Sequence, residues 1–571
     1  MDAGKKLIND IFNGNRVLEI PFFQRSYVWD EPQWERMLDD MEMVSILNSP
    51  YFLGSVILKQ LPTETSNSVG DKRTLIDGQQ RLTTLNIFFK VLALKLDQNL
   101  SFDRTFRLYN NELALWHNHN DIKAFERVLN LEELVAFEGE DNISRAYTYF
   151  LKNLDPSKID KQKVLNNIMF VGIDLDSNED EQQIFDTINS LGVRLTTAEL
   201  LKNHFFDRDD LSEYNIYWKD VFEKDKEIKA FWDKEVTTGR IKRTFIDLFF
   251  YSYLQIKIQD KALKIKTDHK IAYSKVESLF ESYKSLIKNY GISQSDLLFE
   301  IKEYAILFKE FFKLDVIDQE LTNKSGVQRI LAIIFGLETT TLIPYLLFIL
   351  KHVDDVHQRG SLLGFLESYI MRRIVVGATT RDYNRLFTDR LIYNEILTKE
   401  ELKEYLQKQD TKVNFFPKDD ELEKGFHESV LTNKQAAGVL YLIESKIRDQ
   451  RKHGTQLLGM SRYSLEHLMP KKWVNNWPSL SSPEAIENRN RKLKTIGNLA
   501  IITQSLNSSI RDSDWKTKKE GREYKYGLNH YSSGIETLSP YLAEDDWNEE
   551  KIEERADFLY EKAREIWSIN L

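Results

Sequence analysis

Between residues 51 and 96 the apolar positions change rhythm in a way that marks out three elements. Tyr51–Leu58 is a short run rich in aromatic and branched residues, and Thr74-Leu75-Ile76 is a second; a polar loop through Pro62, Ser66, Ser68 and Gly70 parts them. Two such runs across turn-forming residues predict a hairpin-like strand pair. From Arg81 the period lengthens, with Leu82, Leu85, Phe88, Phe89, Leu92 and Leu96 on one face, which predicts a long amphipathic helix. Upstream, Arg16–Trp29 mixes β-branched and aromatic residues around Pro21 and reads as strand or extended loop. Trp34, Met37, Leu38 and Met41 follow at helical spacing after a start at Asp30, so Pro32–Met43 is expected to be a helix. Ile168–Leu175 is apolar enough to be the last strand of this region. Ile184–Leu191 has helical spacing and ends at Gly192, and Thr196 with Glu199 carries the signature of a capping box opening the next helix.

Beyond about residue 206 strand signals thin out, and aromatic-rich segments of helical period continue to about residue 450. Strand character returns at Ser464–Met469, stopped by Pro470, and at Ile496–Thr503, before a helix carrying Trp515, Lys518 and Lys519. No fixed-period repeat interrupts the pattern. The expected organisation is α+β and multidomain: an α/β domain over 1–205, an α-helical middle over 206–445 and a smaller domain over 446–571.

A chain of 571 residues has ample material for several cores. Cysteine is absent, which excludes disulfides, thiolate metal sites and cysteine nucleophiles and agrees with a reducing cytoplasm. Any metal must be held by oxygen or imidazole. The run Leu342–Leu350 is well short of the roughly 20 apolar residues that cross a bilayer, and Met1–Lys6 leads into no signal-type apolar core, so a soluble cytoplasmic protein with no membrane partner is expected. The formal net charge of −10 argues against coating nucleic acid by bulk attraction. Basic residues nevertheless concentrate in the last quarter: Lys446, Arg448, Arg451 and Lys452, then Arg489, Arg491, Lys492 and Lys494, then Lys516, Lys518, Lys519, Arg522 and Lys525. A run of this kind is most often a solvated face.

Two short stretches carry chemistry. In the first, a strand ends in Asp77-Gly78 and turns into a helix beginning at Gln79-Gln80-Arg81. That turn gathers backbone N–H groups, the positive end of a helix and a planar cation, an arrangement suited to phosphate, although Asp-Gly at a strand end is also an ordinary turn. In the second, Glu466 and His467 are adjacent near the end of a short strand, with Asn498 and Asn507 further on. Adjacent residues on a regular strand point to opposite faces, so one site can use both only where the strand end kinks or at its edge.

The motif Asp77-Gly78-Gln79-Gln80-Arg81, preceded by Ile20-Pro21-Phe22-Phe23-Gln24-Arg25-Ser26-Tyr27-Val28-Trp29 and Phe52-Leu53-Gly54-Ser55, resembles the N-terminal domain of the GmrSD-type, modification-dependent (type IV) restriction endonucleases. Phe185–Thr196 with Glu199, Leu200, Lys202 and Asn203 also follows the family pattern. The resemblance implies a ParB/sulfiredoxin-like fold in which Asp77, Gly78, Gln79, Gln80 and Arg81 bind and hydrolyse a nucleoside triphosphate (GTP, ATP or another). Gln24, Arg25, Tyr27 and Asn189 join the candidate pocket, with core packing an equal alternative for Tyr27 and the favoured one for Phe22 and Trp29.

Glu466-His467-Leu468-Met469-Pro470 with Asn498 and Asn507 resembles the His-Asn-His endonucleases, built as two strands and a helix around one divalent cation. The resemblance extends to the C-terminal domain of the same GmrSD-type family and to the corresponding domain of RNA-guided CRISPR nucleases. The last motif position is Asn, where many members have His. The implied chemistry assigns His467 as general base, Glu466 and Asn507 as ligands of Mg²⁺ or Mn²⁺, Asn498 as an orienting group and Lys518 as a cation meeting phosphate charge. The expected function is NTP-regulated, metal-dependent cleavage of modified phage DNA in antiviral defence, with a homo-oligomer also open. The alternatives are an NTP-operated clamp or sensor that binds nucleic acid without cutting, and a non-specific DNase or RNase acting as a suicide toxin.

Overall fold

The computed structural model describes residues 2–21, 24–61, 71–136, 139–176, 197–206, 210–238, 241–275, 278–408, 413–448, 456–522, 525–531 and 534–570. It is a mixed α/β chain that divides into two compact units, Met1–Lys219 and Asp220–Leu571. The helical middle expected over 206–445 lies in the second unit from Asp220 onward, together with the C-terminal region expected over 446–571. Among the described residues no helix is long and apolar enough to cross a membrane.

The first unit is built on a six-stranded mixed sheet of β1 (Asp2–Leu7), β2 (Arg16–Glu19), β3 (Tyr51–Gln60), β4 (Asp71–Asp77), β5 (Leu115–Trp116) and β6 (Ile168–Leu175), in the order β1-β6-β3-β4-β2-β5. The expected hairpin-like pair is present, β3 and β4 running antiparallel with a register shift at Ile57/Leu58. Its loop lies outside the described residues. β6 pairs parallel with β3 and antiparallel with β1, so the last strand of the unit sits between the first strand and the hairpin.

Helix α1 (Glu31–Leu47) starts where Asp30 predicts, with the Gln33 carboxamide accepting the Asp30 N–H at 3.0 Å. The helix after β4, α2 (Gln79–Lys95), differs from its expected amphipathic form. All but one of the residues from Gln79 to Leu94 are buried, Arg81 being the exception, so no solvated stripe exists. The polar positions tolerate this because they find partners inside: Thr84 Oγ1 donates to Gln80 O at 2.7 Å, Asn86 Nδ2 to Leu82 O at 2.8 Å, and Thr83 Oγ1 lies 2.9 Å from His117 Nε2. Helix α3 (Thr197–Phe205) closes the motif-bearing part of this unit. Thr196, and with it the expected capping box, lies outside the described residues, as do the expected helix 184–191 and Asn189.

The second unit is mainly helical, broken by a hairpin of Glu235–Thr238 with Ile241–Thr244 that the sequence pattern did not indicate. Helix α4 (Val356–Val375) runs through its core. Here Arg329 and Glu367, both fully buried, pair at 2.8 Å, and Arg329 also donates to Thr322 O and Ser445 Oγ. Trp567 completes the cluster from nearly the other end of the unit: its indole N–H reaches Glu367 at 3.2 Å, and its carbonyl accepts from Arg372.

The expected strands near the C-terminus are β7 (Tyr463–His467) and β8 (Leu499–Thr503), an antiparallel pair with Glu466 opposite Ala500 and His467 opposite Leu499. Helix α5 (Asn433–Ile447) packs against both. Short helices α6 (Gln504–Ile510) and α7 (Trp515–Glu520) follow, then α8 (Glu549–Ile566).

Candidate functional site

In the first unit the turn between β4 and α2 is held in one shape by crowding. Gly78 has φ +103°, a left-handed conformation, and a Cβ there would stand 3.0 Å from Val56 Cγ2 and 3.2 Å from Ser55 O. A residue with a side chain would pay for both strain and contact. Gly78 caps α2 without a side-chain acceptor, so the leading N–H groups of the helix stay available, as helix physics requires of a first turn.

Arg81 arches back over β3. It donates to Ser55 O at 2.9 Å and lies 3.7 Å from Asp77 Oδ2, which also accepts from Ser55 Oγ at 2.7 Å. The guanidinium crosses directly above Gly54 (φ +136°), where a Cβ would come within 2.6 Å of Arg81 Nε. Asp77, Ser55 and Arg81 therefore form one linked group, with Gly54 and Gly78 making room for it.

Gln80 has a different task from the one expected of it. Its buried carboxamide accepts from Val28 N at 2.9 Å and Trp29 N at 3.3 Å and donates to Ser26 O at 3.4 Å, fastening the segment 24–29 to the first turn of α2. Tyr27 is a core residue: its hydroxyl sits 2.6 Å from Thr84 Oγ1 and accepts from Trp34 Nε1 at 2.8 Å, and burial pushes its pKa up. A ring so enclosed offers no face to a base, which corrects Tyr27 as a pocket candidate. Trp29 packs half-buried on the same core, and Phe22 lies outside the described residues.

The remaining candidates are less satisfied. Gln24 is buried and accepts from Asn203 Nδ2 at 3.3 Å, which joins α3 to the segment 24–29. Three buried atoms around this corner have no partner among the described residues: Gln79 Oε1, Asn203 Oδ1 and Arg25 Nε. An unmet buried donor or acceptor costs about 1–3 kcal/mol, which a ligand supplying the missing partners would recover; Asn86 Oδ1 and Asn99 Oδ1 of the same unit are also unmet.

In the second unit the Glu466–His467 pair ends β7. His467 is its last residue, and the chain bends at Leu468–Met469. The Glu466 carboxylate is buried and paired with Lys518 from α7, whose ammonium also donates to His467 O at 2.7 Å. Burial drives the Glu466 pKa up and the Lys518 pKa down, and their mutual attraction opposes both shifts. Lys518 is fully buried, so the expected phosphate-facing cation is instead the counter-charge of Glu466 and a brace on the strand end.

His467 is partly exposed, and its pKa falls to about 4, chiefly through burial, then through the charges of Lys471 and Lys518. Its imidazole is thus neutral at physiological pH, the form that accepts a proton. Asn498 is wholly buried with all its hydrogen-bonding capacity used: Oδ1 accepts from Met469 N at 2.8 Å and Trp547 Nε1 at 3.0 Å, and Nδ2 donates to Met469 O at 2.9 Å and Leu493 O at 3.0 Å. It touches nothing that reacts. It ties down the backbone of the bend just after His467.

Asn507 on α6 donates through Nδ2 to Ser464 Oγ at 3.1 Å and Leu465 O at 3.0 Å. Ser464 and Glu466 share one face of β7, so Asn507 approaches the strand on the Glu466 side, with its Oδ1 left without a partner among the described residues. No hydrogen bond links Glu466, His467 and Asn507 directly, and among the described residues no three His, Cys, Asp or Glu side chains converge as a ready metal cage.

Sequence reasoning missed Arg555. Fully buried on α8, it donates to Gly497 O and Leu499 O, both at 2.7 Å, and so clasps the backbone on either side of Asn498. Nothing local in the sequence signals a bond across more than fifty residues. Trp547 was missed for the same reason. Ser55 and Asn203 stood inside the quoted motifs, but their partners were not legible there.

Set beside known proteins, residues 5–206 match the family described as GmrSD restriction endonuclease, N-terminal domain. Residues 416–562 match GmrSD restriction endonucleases, C-terminal domain. No curated protein matches the chain.

Proposed function

The chain belongs to the GmrSD restriction endonuclease family, for which DNA is the implied substrate, and from that premise we propose that the Glu466–His467 strand end cleaves modified phage DNA under the control of a nucleoside triphosphate bound at the Asp77–Arg81 turn. The observation that carries the cutting half is His467: a partly exposed imidazole kept neutral at the end of a strand whose following bend is locked by Asn498. His467 takes a proton from water at its free ring nitrogen as the water attacks the phosphodiester, and the 3′ oxygen leaves.

Glu466 and the Asn507 carboxamide oxygen form a hard oxygen donor set that fits Mg²⁺ or Mn²⁺, and these two residues would hold the ion. When bound, such a cation supplies charge neutralisation at the phosphate and its leaving oxygen. Lys518 opposes the upward pull of burial on the Glu466 pKa and so favours the charged, ligating form of the carboxylate. A clamp that binds without cutting would account for the Glu466–Lys518 pair but gives the depressed imidazole no work.

The nucleotide half rests on the glycine-walled turn, with Arg81 beside the open first turn of α2, which suits a phosphate chain. The reading places the protein in cytoplasmic antiphage defence. The test is cleavage of modified phage genomes, unmodified plasmid and RNA, with and without each NTP and Mg²⁺ or Mn²⁺. Phage DNA is expected to be cut by the wild type and spared by His467→Ala; degradation by the variant at the wild-type rate rules the site out. An NTPase rate unchanged in Arg81→Ala rules out the nucleotide half.

A further inference from the structure

Of the buried atoms without a partner among the described residues of the first unit, which also include Asn86 Oδ1 and Asn99 Oδ1, three belong to the motif residues Gln79, Asn203 and Arg25, and they differ in kind. Gln79 Oε1 and Asn203 Oδ1 are acceptors, and Arg25 Nε is a donor. Phosphate oxygens at neutral pH only accept, so a phosphate chain can satisfy Arg25 and can satisfy neither carboxamide oxygen. Of the groups a nucleotide carries, those that can meet the Gln79 and Asn203 oxygens directly are O–H and N–H groups, which lie on its sugar and base.

The two acceptors lie far apart in sequence and are related through the segment 24–29, which α2 and α3 both fasten. Gln79 opens α2 and is buried to within 8%. Its neighbour Gln80 ties down Ser26, Val28 and Trp29, and two residues before Ser26, Gln24 receives the Asn203 amide. Because Asn203 spends Nδ2 on Gln24, its orientation is set and Oδ1 is the atom left over.

We infer that Gln79 and Asn203, the latter aimed by Gln24, bind the nucleoside part of the nucleotide through its sugar hydroxyls or base N–H groups. The inference rests on the nucleotide reading of the Asp77–Arg81 turn and divides that site in two. The turn takes phosphates, and the carboxamides take the nucleoside and set which nucleotide is preferred. Asn203 is then a specificity residue delivered by α3, and Gln24 a positioning residue acting through it.

The experiment titrates the full-length protein by calorimetry with inorganic tripolyphosphate, with ATP, GTP, CTP and UTP, and with the deoxy form of the tightest of these. Gln79→Met and Asn203→Leu are each expected to weaken the preferred NTP about tenfold while leaving tripolyphosphate affinity unchanged. That retained affinity also shows that the variants fold. Arg81→Ala is expected to weaken both ligands together. Loss of affinity on removing the 2′-hydroxyl assigns the contact to the sugar, and a preference among the four bases assigns it to the base; either outcome supports the inference. Variants that weaken tripolyphosphate as much as NTP, or that leave NTP affinity intact, overturn it while the phosphate site stands. If the wild type binds neither NTP nor tripolyphosphate, the phosphate reading fails and the inference falls with it.

Discussion

The two motif-bearing corners of this chain treat their polar atoms differently. Around the Asp77–Arg81 turn, Gln79, Asn203 and Arg25 each keep a buried atom without a partner among the described residues, while glycines at 54 and 78 let Arg81 and Val56 pack close against the backbone. Around Glu466 more of the polar atoms are met: the carboxylate has Lys518, the Asn498 side chain makes four hydrogen bonds to three residues, and Arg555 braces the backbone behind them. The first corner is stable only at the cost of unmet hydrogen bonds that a ligand can restore. The second is more fully bonded, although Arg555 Nη2 stays buried without a partner behind it, and His467 and the Asn507 oxygen are left to face a substrate. Unmet atoms and dense networks are both ways to prepare a site, one for binding and one for holding a reactive group still.

The comparison breaks most sharply at His467. Its replacement by Ala should lower DNA cleavage roughly 10²–10⁴-fold in single-turnover assays, with DNA affinity little changed. A smaller loss would mean the more fully bonded corner is only a scaffold. Next is the buried ion pair. Lys518→Met strands a charge and should cost about 3–5 kcal/mol in denaturant unfolding, whereas the Glu466→Gln/Lys518→Met double variant should recover much of that loss. Equal losses in single and double would show that Lys518 is packing, not counter-charge.

The open corner yields a smaller effect. Gly54→Ala puts a methyl against the Arg81 guanidinium and strains a φ of +136°, so tripolyphosphate affinity should fall by about tenfold, with stability falling about 1–2 kcal/mol. An unchanged affinity would detach Arg81 from phosphate binding. The pH profile sharpens the comparison most gently. His467 works in its neutral form, and its pKa is lowered to about 4, so protonation removes activity only as the pH falls through about 4. The profile of kcat/KM should therefore show no acid limb near the ordinary imidazole value of about 6.5. A limb centred there would place the imidazole in water, free of Lys471, Lys518 and burial.

Legibility followed the range of the interactions. The β3–β4 pair, the helix start at Asp30 and the β7–β8 strands were readable because alternation, capping and turn residues act within a few positions. The periphery of α2 was misread, since Thr83, Thr84 and Asn86 look like a solvated face until their bonds to Gln80, Leu82 and His117 are known. For the candidate site residues the motifs were legible, and the bonds their side chains make were not. Gln80 lies in the motif, yet its carboxamide clamps backbone some fifty positions upstream. Lys518 lies near Glu466, yet as a buried partner. Complementary charge across such separations leaves no periodic trace, whereas the Asp-Gly turn writes its constraint into adjacent letters.

The Trp567 anchorage has a bearing on how the second unit is made. Glu367 and Arg372 are enclosed in the helical interior, but the indole and carbonyl that complete their bonding belong to a residue about two hundred positions later. During synthesis the ribosome delivers those charged side chains long before their last companion emerges, so the interior around α4 is expected to stay open until translation reaches Trp567. A nascent chain halted at residue 560 should accordingly remain protease-sensitive across residues 356–375, while one extended past 567 by a tethering linker closes.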